Sequence, residues 1–123
     1  MSLKEADRWF SLAVRTYGHC EACGSTRDLT CSHIIKRRYL QTRWSFRNAH
    51  CLCLQCHQFF EMNPRAFKDW VRRTWAGEYM RSENYKNLLK EFKLPVDTKE
   101  RTKICKDVYY GRIELLLARI KDL

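Results

Sequence analysis

Two Cys-x-x-Cys pairs, Cys20/Cys23 and Cys53/Cys56, constrain this 123-residue chain more than any other feature. Two intervening residues let both sulfurs of a pair point at one ion from a tight turn. Two such pairs complete the closed tetrahedral shell of a structural zinc site. The segment between them must therefore fold as a loop closed by metal, tying residue 20 to residue 56. Redox dithiols are the competing reading, but neither pair opens a thioredoxin-like strand–helix–strand unit. Cys51 competes with Cys53 for the third ligand position, and Cys53 ranks ahead because it restores the symmetric spacing. Cys31 and Cys105 are expected to be buried free thiols. Zinc held by four thiolates contributes folding energy and performs no chemistry of its own.

Around this closed loop the periodicity is helical. Ser2 and Glu5 have capping-box spacing, and Trp9, Phe10, Ala13, Val14 and Tyr17 form a core-facing stripe ended by Gly18. Within the loop, residues 29–35 and 50–54 read as short strands, and a helix begins at Gln55. Asn63-Pro64 caps and opens the next helix, which buries Phe67, Trp70, Val71 and Trp75 and ends at Gly77. Ser82 can cap a further helix carrying Tyr85, Leu88, Leu89 and Phe92 before Pro95. Asp97 and Glu100 have capping-box spacing ahead of a last helix, weakened at Gly111. Its Ile104, Val108, Leu115 and Ile120 are placed to pack on the domain or on a second copy.

The balance of 24 Lys and Arg against 14 Asp and Glu gives a net charge of +10, which points to a polyanionic partner, nucleic acid first. With 45% hydrophobic residues the chain has enough apolar material for a core, so disorder is excluded. No stretch approaches the ~20 apolar residues of a membrane span. Residues 1–10 are charged and lack the features of a secretory signal, so a reducing, cytoplasmic setting is expected. The basic residues concentrate in the loop 36–47, where Lys36, Arg37, Arg38, Arg43 and Arg47 stand without an acidic neighbour. Arg forks and Lys point charges grip phosphate without reading bases. DNA binding through this loop should therefore weaken steeply with salt. Tyr39, Trp44 and Phe46 would anchor the loop to the core.

Three polar residues mark the closed segment: His33 at the end of the first strand, Asn48 opening the second, and His57 directly after Cys56. With Cys20-x-x-Cys23-Gly24, Ser32-His33-Ile34-Ile35 and Leu52-Cys53-x-x-Cys56-His57, they make the segment resemble the HNH, or ββα-metal, endonucleases over residues 18–62. Thr42-Arg43-Trp44, Phe60-Glu61, Pro64, Phe67 and Trp70 extend the similarity toward small phage proteins of the NinG/Rap-like recombination type.

The resemblance implies an α+β fold: a zinc-stapled ββα-metal core with an N-terminal helix and a C-terminal helical extension. The core with its flanking helices would occupy residues 1–76, and the extension 77–123. It implies metal-dependent hydrolysis of DNA phosphodiester bonds in a bacterial or phage-infected cell, leaving 5′-phosphate and 3′-hydroxyl ends. His33 would be the general base, Asn48 a brace across the loop, and His57 a ligand of a catalytic Mg²⁺ or Mn²⁺. The family commonly has a metal-binding Asp or His where this chain has Ser32, and a neutral hydroxyl is a poor ligand for a hard cation. Glu61, one turn after His57 on the same helix face, can compensate. The catalytic metal set is therefore His57, Glu61 and Ser32. The other reading is a zinc-ribbon DNA-binding protein without catalysis. Retention of His33, Asn48 and His57 argues against it. His19 and His50 have no assigned role.

Overall fold

The computed structural model of the chain describes residues 3–77 and 97–121. The helix predicted after Ser82 lies outside the described residues, as does Ser2 of the first capping box. The fold mixes helices with a small antiparallel sheet. Helix α1 (Leu3–Arg15) buries Ala6, Phe10, Ala13 and Val14 on one face. It tightens at Thr16 to Gly18 and stops where Gly18 adopts a φ of 88°. Tyr17 does not join the core stripe. It is exposed and lies against His19, their ring centroids 4.5 Å apart.

Strands β1 (Leu29–His33) and β2 (Ala49–Cys53) pair antiparallel, with Cys31 opposite Cys51 and Ser32 opposite His50. Between them run a short helix α2 (Leu40–Arg43) and a 3₁₀ turn (Phe46–Asn48). Helix α3 (Leu54–Met62) follows β2 directly, so the chain runs strand, loop, strand, helix. β1 ends before the expected Ile35 because Asn48 takes the next two amides. The Ile34 N–H donates to its carbonyl at 2.9 Å, and the Ile35 N–H to its side-chain oxygen at 2.7 Å.

Every residue of β2 is buried, because both faces of the hairpin are covered. Ala49 and Cys51 join Ala6, Phe10, Val14, Trp44 and Cys105 in one cluster. Leu52 meets Cys20 and Cys53, with Phe60, Phe67 and Trp70 packed against them. Strand alternation thus sends Ala49 and Cys51 toward α1 and Leu52 toward the helices after the sheet. His50, fully buried, lies between the rings of Trp70 and Trp75 at 4.7 and 4.6 Å, which makes it a structural residue.

Helix α4 (Pro64–Arg72) has proline at its first position, as expected, but Asn63 makes no side-chain cap. Its amide donates instead to the Phe59 carbonyl at 2.8 Å, closing α3 rather than opening α4. α4 stops at Arg72, ahead of Gly77, where the Thr74 hydroxyl bonds the Val71 carbonyl at 2.7 Å. Val71 is buried there, whereas Trp75 is half exposed.

Helix α5 (Thr98–Lys121) is capped by Asp97, whose Oδ1 accepts from the Lys99 and Glu100 amides at 3.0 and 3.2 Å. It runs unbroken through Gly111 and packs on α1 of its own chain. The face that meets α1 is not the one carrying Ile104 and Leu115, two of the residues expected to pack on the domain or on a second copy. Thr102 and Cys105 are buried, while Ile104 and Leu115 are exposed. Small residues at 102 and 105 let the helices approach closely, and Trp9 then meets Tyr109 and Tyr110 at 5.9 and 5.8 Å. Arg112 donates to the Ala13 carbonyl at 2.7 Å, satisfying the end of α1. Among the described residues no helix is long and apolar enough to cross a membrane.

Phe10 supports both the core and the ring of His33, with centroids 5.5 Å apart. Phe10→Ala should therefore cost about 3–5 kcal/mol of stability, read as a lower urea midpoint.

Candidate functional site

The sulfurs of Cys20, Cys23, Cys53 and Cys56 all lie within 4.8 Å of one another, a cluster that could hold a metal ion such as zinc. The Cys23 and Cys53 sulfurs are 3.7 Å apart. A tetrahedral shell with Zn–S near ~2.3 Å requires an edge of about 3.8 Å. Each pair is built the same way: the Cys23 amide points at the Cys20 sulfur at 3.5 Å and the Cys56 amide at the Cys53 sulfur at 3.4 Å. Gly24 supplies the positive φ that closes the first turn. Cys53 is also the N-cap of α3, so one residue both joins the cluster and starts the helix that carries His57. Burial acts to raise the Cys20 thiol, but amide and thiol contacts outweigh it and bring the group down to about 7. Cys51 is not part of this cluster, and burial beside Glu21 pushes its thiol up to about 11. Cys31 and Cys105 are likewise held protonated by burial, at about 12 and about 11.

His33, Ser32, Thr30, His57 and Glu61 line one cleft of about 930 Å³. The strand end brings His33 to it, and α3 brings His57 from its first turn and Glu61 from its last. Burial depresses the His33 pKa below the ordinary value of 6.5, only partly opposed by a hydrogen bond to the Arg43 carbonyl. That bond, 2.7 Å from Nε2, settles the tautomer. A carbonyl can only accept, so Nε2 carries the hydrogen, and the neutral ring keeps its lone pair on Nδ1.

Asn48 is fully buried and spends its side chain on the loop. Besides accepting from Ile35, its amide donates to the carbonyls of Ile35 and Thr42, each at 3.0 Å. It thus fixes the exit of β1 and the turn carrying Arg43, the two segments that set His33.

His57 Nε2 lies 3.4 Å from Glu61 Oε1, and its Nδ1 lies 2.8 Å from the Thr30 hydroxyl. An imidazole nitrogen and a carboxylate facing each other across this distance are a mixed N/O donor pair. Such a pair is an i,i+4 ion pair when the ring is protonated and could otherwise offer two donors to a divalent cation. Ser32 is buried and shares its strand face with Thr30, placing a neutral hydroxyl on the same side.

Asp7 and Arg15 of α1, which carried no assignment from the sequence, also line the cleft. Asp7 receives two bonds from Arg43, at 2.9 and 2.6 Å, and one from the Trp44 indole at 2.9 Å. Burial works to raise the Asp7 pKa, but these bonds and the nearby Arg43 and Arg37 charges hold it below the usual carboxylate range. Arg43 is therefore committed to Asp7 rather than free for a phosphate. Lys36, Arg37, Arg38 and Arg47 are exposed, with Arg37 only loosely paired to Asp7 at 3.6 Å. Nothing local in the sequence distinguishes Asp7 or Arg15, because both reach the cleft only through the packing of α1. Thr30 had a signal, since it lies two residues before Ser32 and so on the same strand face.

No family model, curated protein or solved structure matches the chain.

Elemental analysis should find one zinc per chain in the wild type and in Cys51→Ser, and a loss of bound zinc in Cys53→Ser. Equal zinc in both variants would remove Cys53 from the cluster's ligand set.

Proposed function

We propose that the chain is a metal-dependent endonuclease of the HNH kind, hydrolysing DNA phosphodiester bonds. The observation that carries this reading is the shared cleft. One histidine there is held neutral with a free Nδ1 lone pair, and a second faces a carboxylate across a cation-sized gap. The residues fit a hard divalent cation, with His57 and Glu61 as protein ligands and Ser32 at the margin. When bound, Mg²⁺ or Mn²⁺ would neutralise charge on the phosphate and on the leaving oxygen.

The rest of the work belongs to the chain. His33 Nδ1 takes a proton from water as its oxygen attacks phosphorus, and the bond to the 3′ oxygen breaks. That oxygen leaves protonated by solvent, giving 5′-phosphate and 3′-hydroxyl ends. The ring is oriented by the Arg43 carbonyl, and the loop bearing that carbonyl is held by Asn48 and Asp7. Lys36, Arg37, Arg38 and Arg47 would grip the DNA backbone beside the cut. Arg43 serves them from behind by tying the loop to α1. Contacts of this kind carry little sequence preference. A bacterial or phage recombination setting belongs to the resemblance alone, while pairing of two chains for coordinated nicks belongs to the apolar residues of the last helix.

The second reading, a zinc-ribbon DNA-binding protein without catalysis, is favoured by one observation: Ser32 is neutral and buried where the family has a stronger ligand. Plasmid nicking separates the two. The wild type should nick only with Mg²⁺ or Mn²⁺, Glu61→Gln should need far more metal, and His33→Ala should lose about 10²–10⁴-fold in rate while keeping its zinc. Equal, negligible nicking by wild type and His33→Ala, with DNA binding intact, would establish the binding protein.

The base works only when neutral, and its pKa is lowered. Activity should therefore rise with pH through an apparent pKa below 6.5 and be lost in acid as the ring protonates. Folding follows the same sign: the unfolded chain binds this proton more readily, so stability contributed by neutral His33 is present above 6.5 and declines as pH falls. Four backbone contacts should give a slope of about −4 in log K against log salt. A flat dependence would remove the loop from the interface.

A further inference from the structure

The proton on His57 is assigned by a residue that no reading of the motif includes. The Thr30 hydroxyl donates its single hydrogen to the Leu52 carbonyl at 2.7 Å. Toward His57 Nδ1, at 2.8 Å, the same oxygen can therefore only accept. Nδ1 must carry the hydrogen, and in the neutral ring the lone pair falls on Nε2, the atom 3.4 Å from Glu61 Oε1. With the ring neutral, two electron-rich atoms held this close repel each other unless a proton or a metal cation lies between them. Thr30 is β-branched, with its χ1 restricted, and it sits on a strand paired directly opposite Leu52, so its oxygen has little freedom to move away.

We propose that Thr30 is a positioning residue: through the Leu52 carbonyl it fixes the tautomer and ring orientation of His57, so that Nε2 and the Glu61 carboxylate face one divalent cation. The proposal rests on the nuclease reading for the use of that cation, though not for the geometry itself. Partners of this kind behind a metal-binding histidine are worth about 10–100-fold in metal affinity. With Ser32 in place of a charged ligand, the site has only two strong protein donors. Correct aim of each then matters more than in a site with three.

The test uses the full zinc-loaded chain and Mn²⁺ as the probe. ¹⁵N spectra of the histidine rings, taken without Mn²⁺ at about pH 8 where an ordinary imidazole is neutral, should show His57 protonated on Nδ1. A wild-type ring with its hydrogen on Nε2 would overturn the proposal without any variant. Thr30→Val, equal in shape and lacking the hydroxyl, should bind Mn²⁺ about 10–100-fold more weakly by calorimetry and lose the Nδ1–H signature. Thr30→Ser should restore both to within a few-fold, and His33→Ala should bind Mn²⁺ as the wild type does. Unchanged Mn²⁺ affinity in Thr30→Val, in a chain with full zinc content, would sink it, as would wild-type affinity in His57→Ala. If Mn²⁺ binding follows these expectations yet no metal supports nicking, the positioning role stands and the nuclease reading fails.

Discussion

Four sulfurs gathered within 4.8 Å beneath a two-stranded sheet cannot be left to themselves. As thiolates they repel, and as thiols they make weak hydrogen bonds in a space that apolar side chains would fill better. A metal reverses that balance, and its binding free energy becomes folding free energy. The cluster joins the turn after α1 to the junction of β2 and α3, so both edges of the hairpin are referenced to one point. With a metal bound, the apolar layer of Leu52, Phe60, Phe67 and Trp70 would pack against a scaffold whose loop entropy has already been reduced.

The cleft is ordered from two sides, only one of them the cysteine cluster. Cys53 caps α3, which aims His57 and Glu61 one turn apart. On the other side Asn48 and Asp7 hold the loop that returns to His33, the first through buried amide bonds and the second through a charged fork. His33 and His57 each have one nitrogen tied back to the protein, Nε2 of His33 to the Arg43 carbonyl and Nδ1 of His57 to the Thr30 hydroxyl.

Much of this was legible because it is local. Paired cysteines, a histidine after the last of them and a carboxylate four residues on are spacing statements, and the turns and helices that realise them are equally short-range. Asn48 was legible as a brace, although its closing of β1 shortened the strand expected there. Asp7 was not, because its meaning depends on α1 lying against the loop, a tertiary fact. The face by which α5 meets α1 was not legible for a related reason. Its apolar residues fall on several sides, and the buried positions went to small Thr102 and Cys105, which permit close approach, while Ile104 and Leu115 stayed outside. Tyr17 and Trp75 were read as core from helical spacing, though each lies beyond the end of its helix where the buried face no longer continues.

The acceptor that orients His33 is a main-chain carbonyl, and this bears on how the protein can vary. Any amino acid at position 43 presents the same oxygen, so a substitution there removes the Asp7 fork that steadies the loop but leaves the acceptor itself, and Asn48's hold on the turn, in place. What the ring cannot survive is a change in the length of the segment from Ile34 to Asn48, which would carry the oxygen away whatever side chains remained. Drift in this protein should accordingly spare loop length before it spares loop composition.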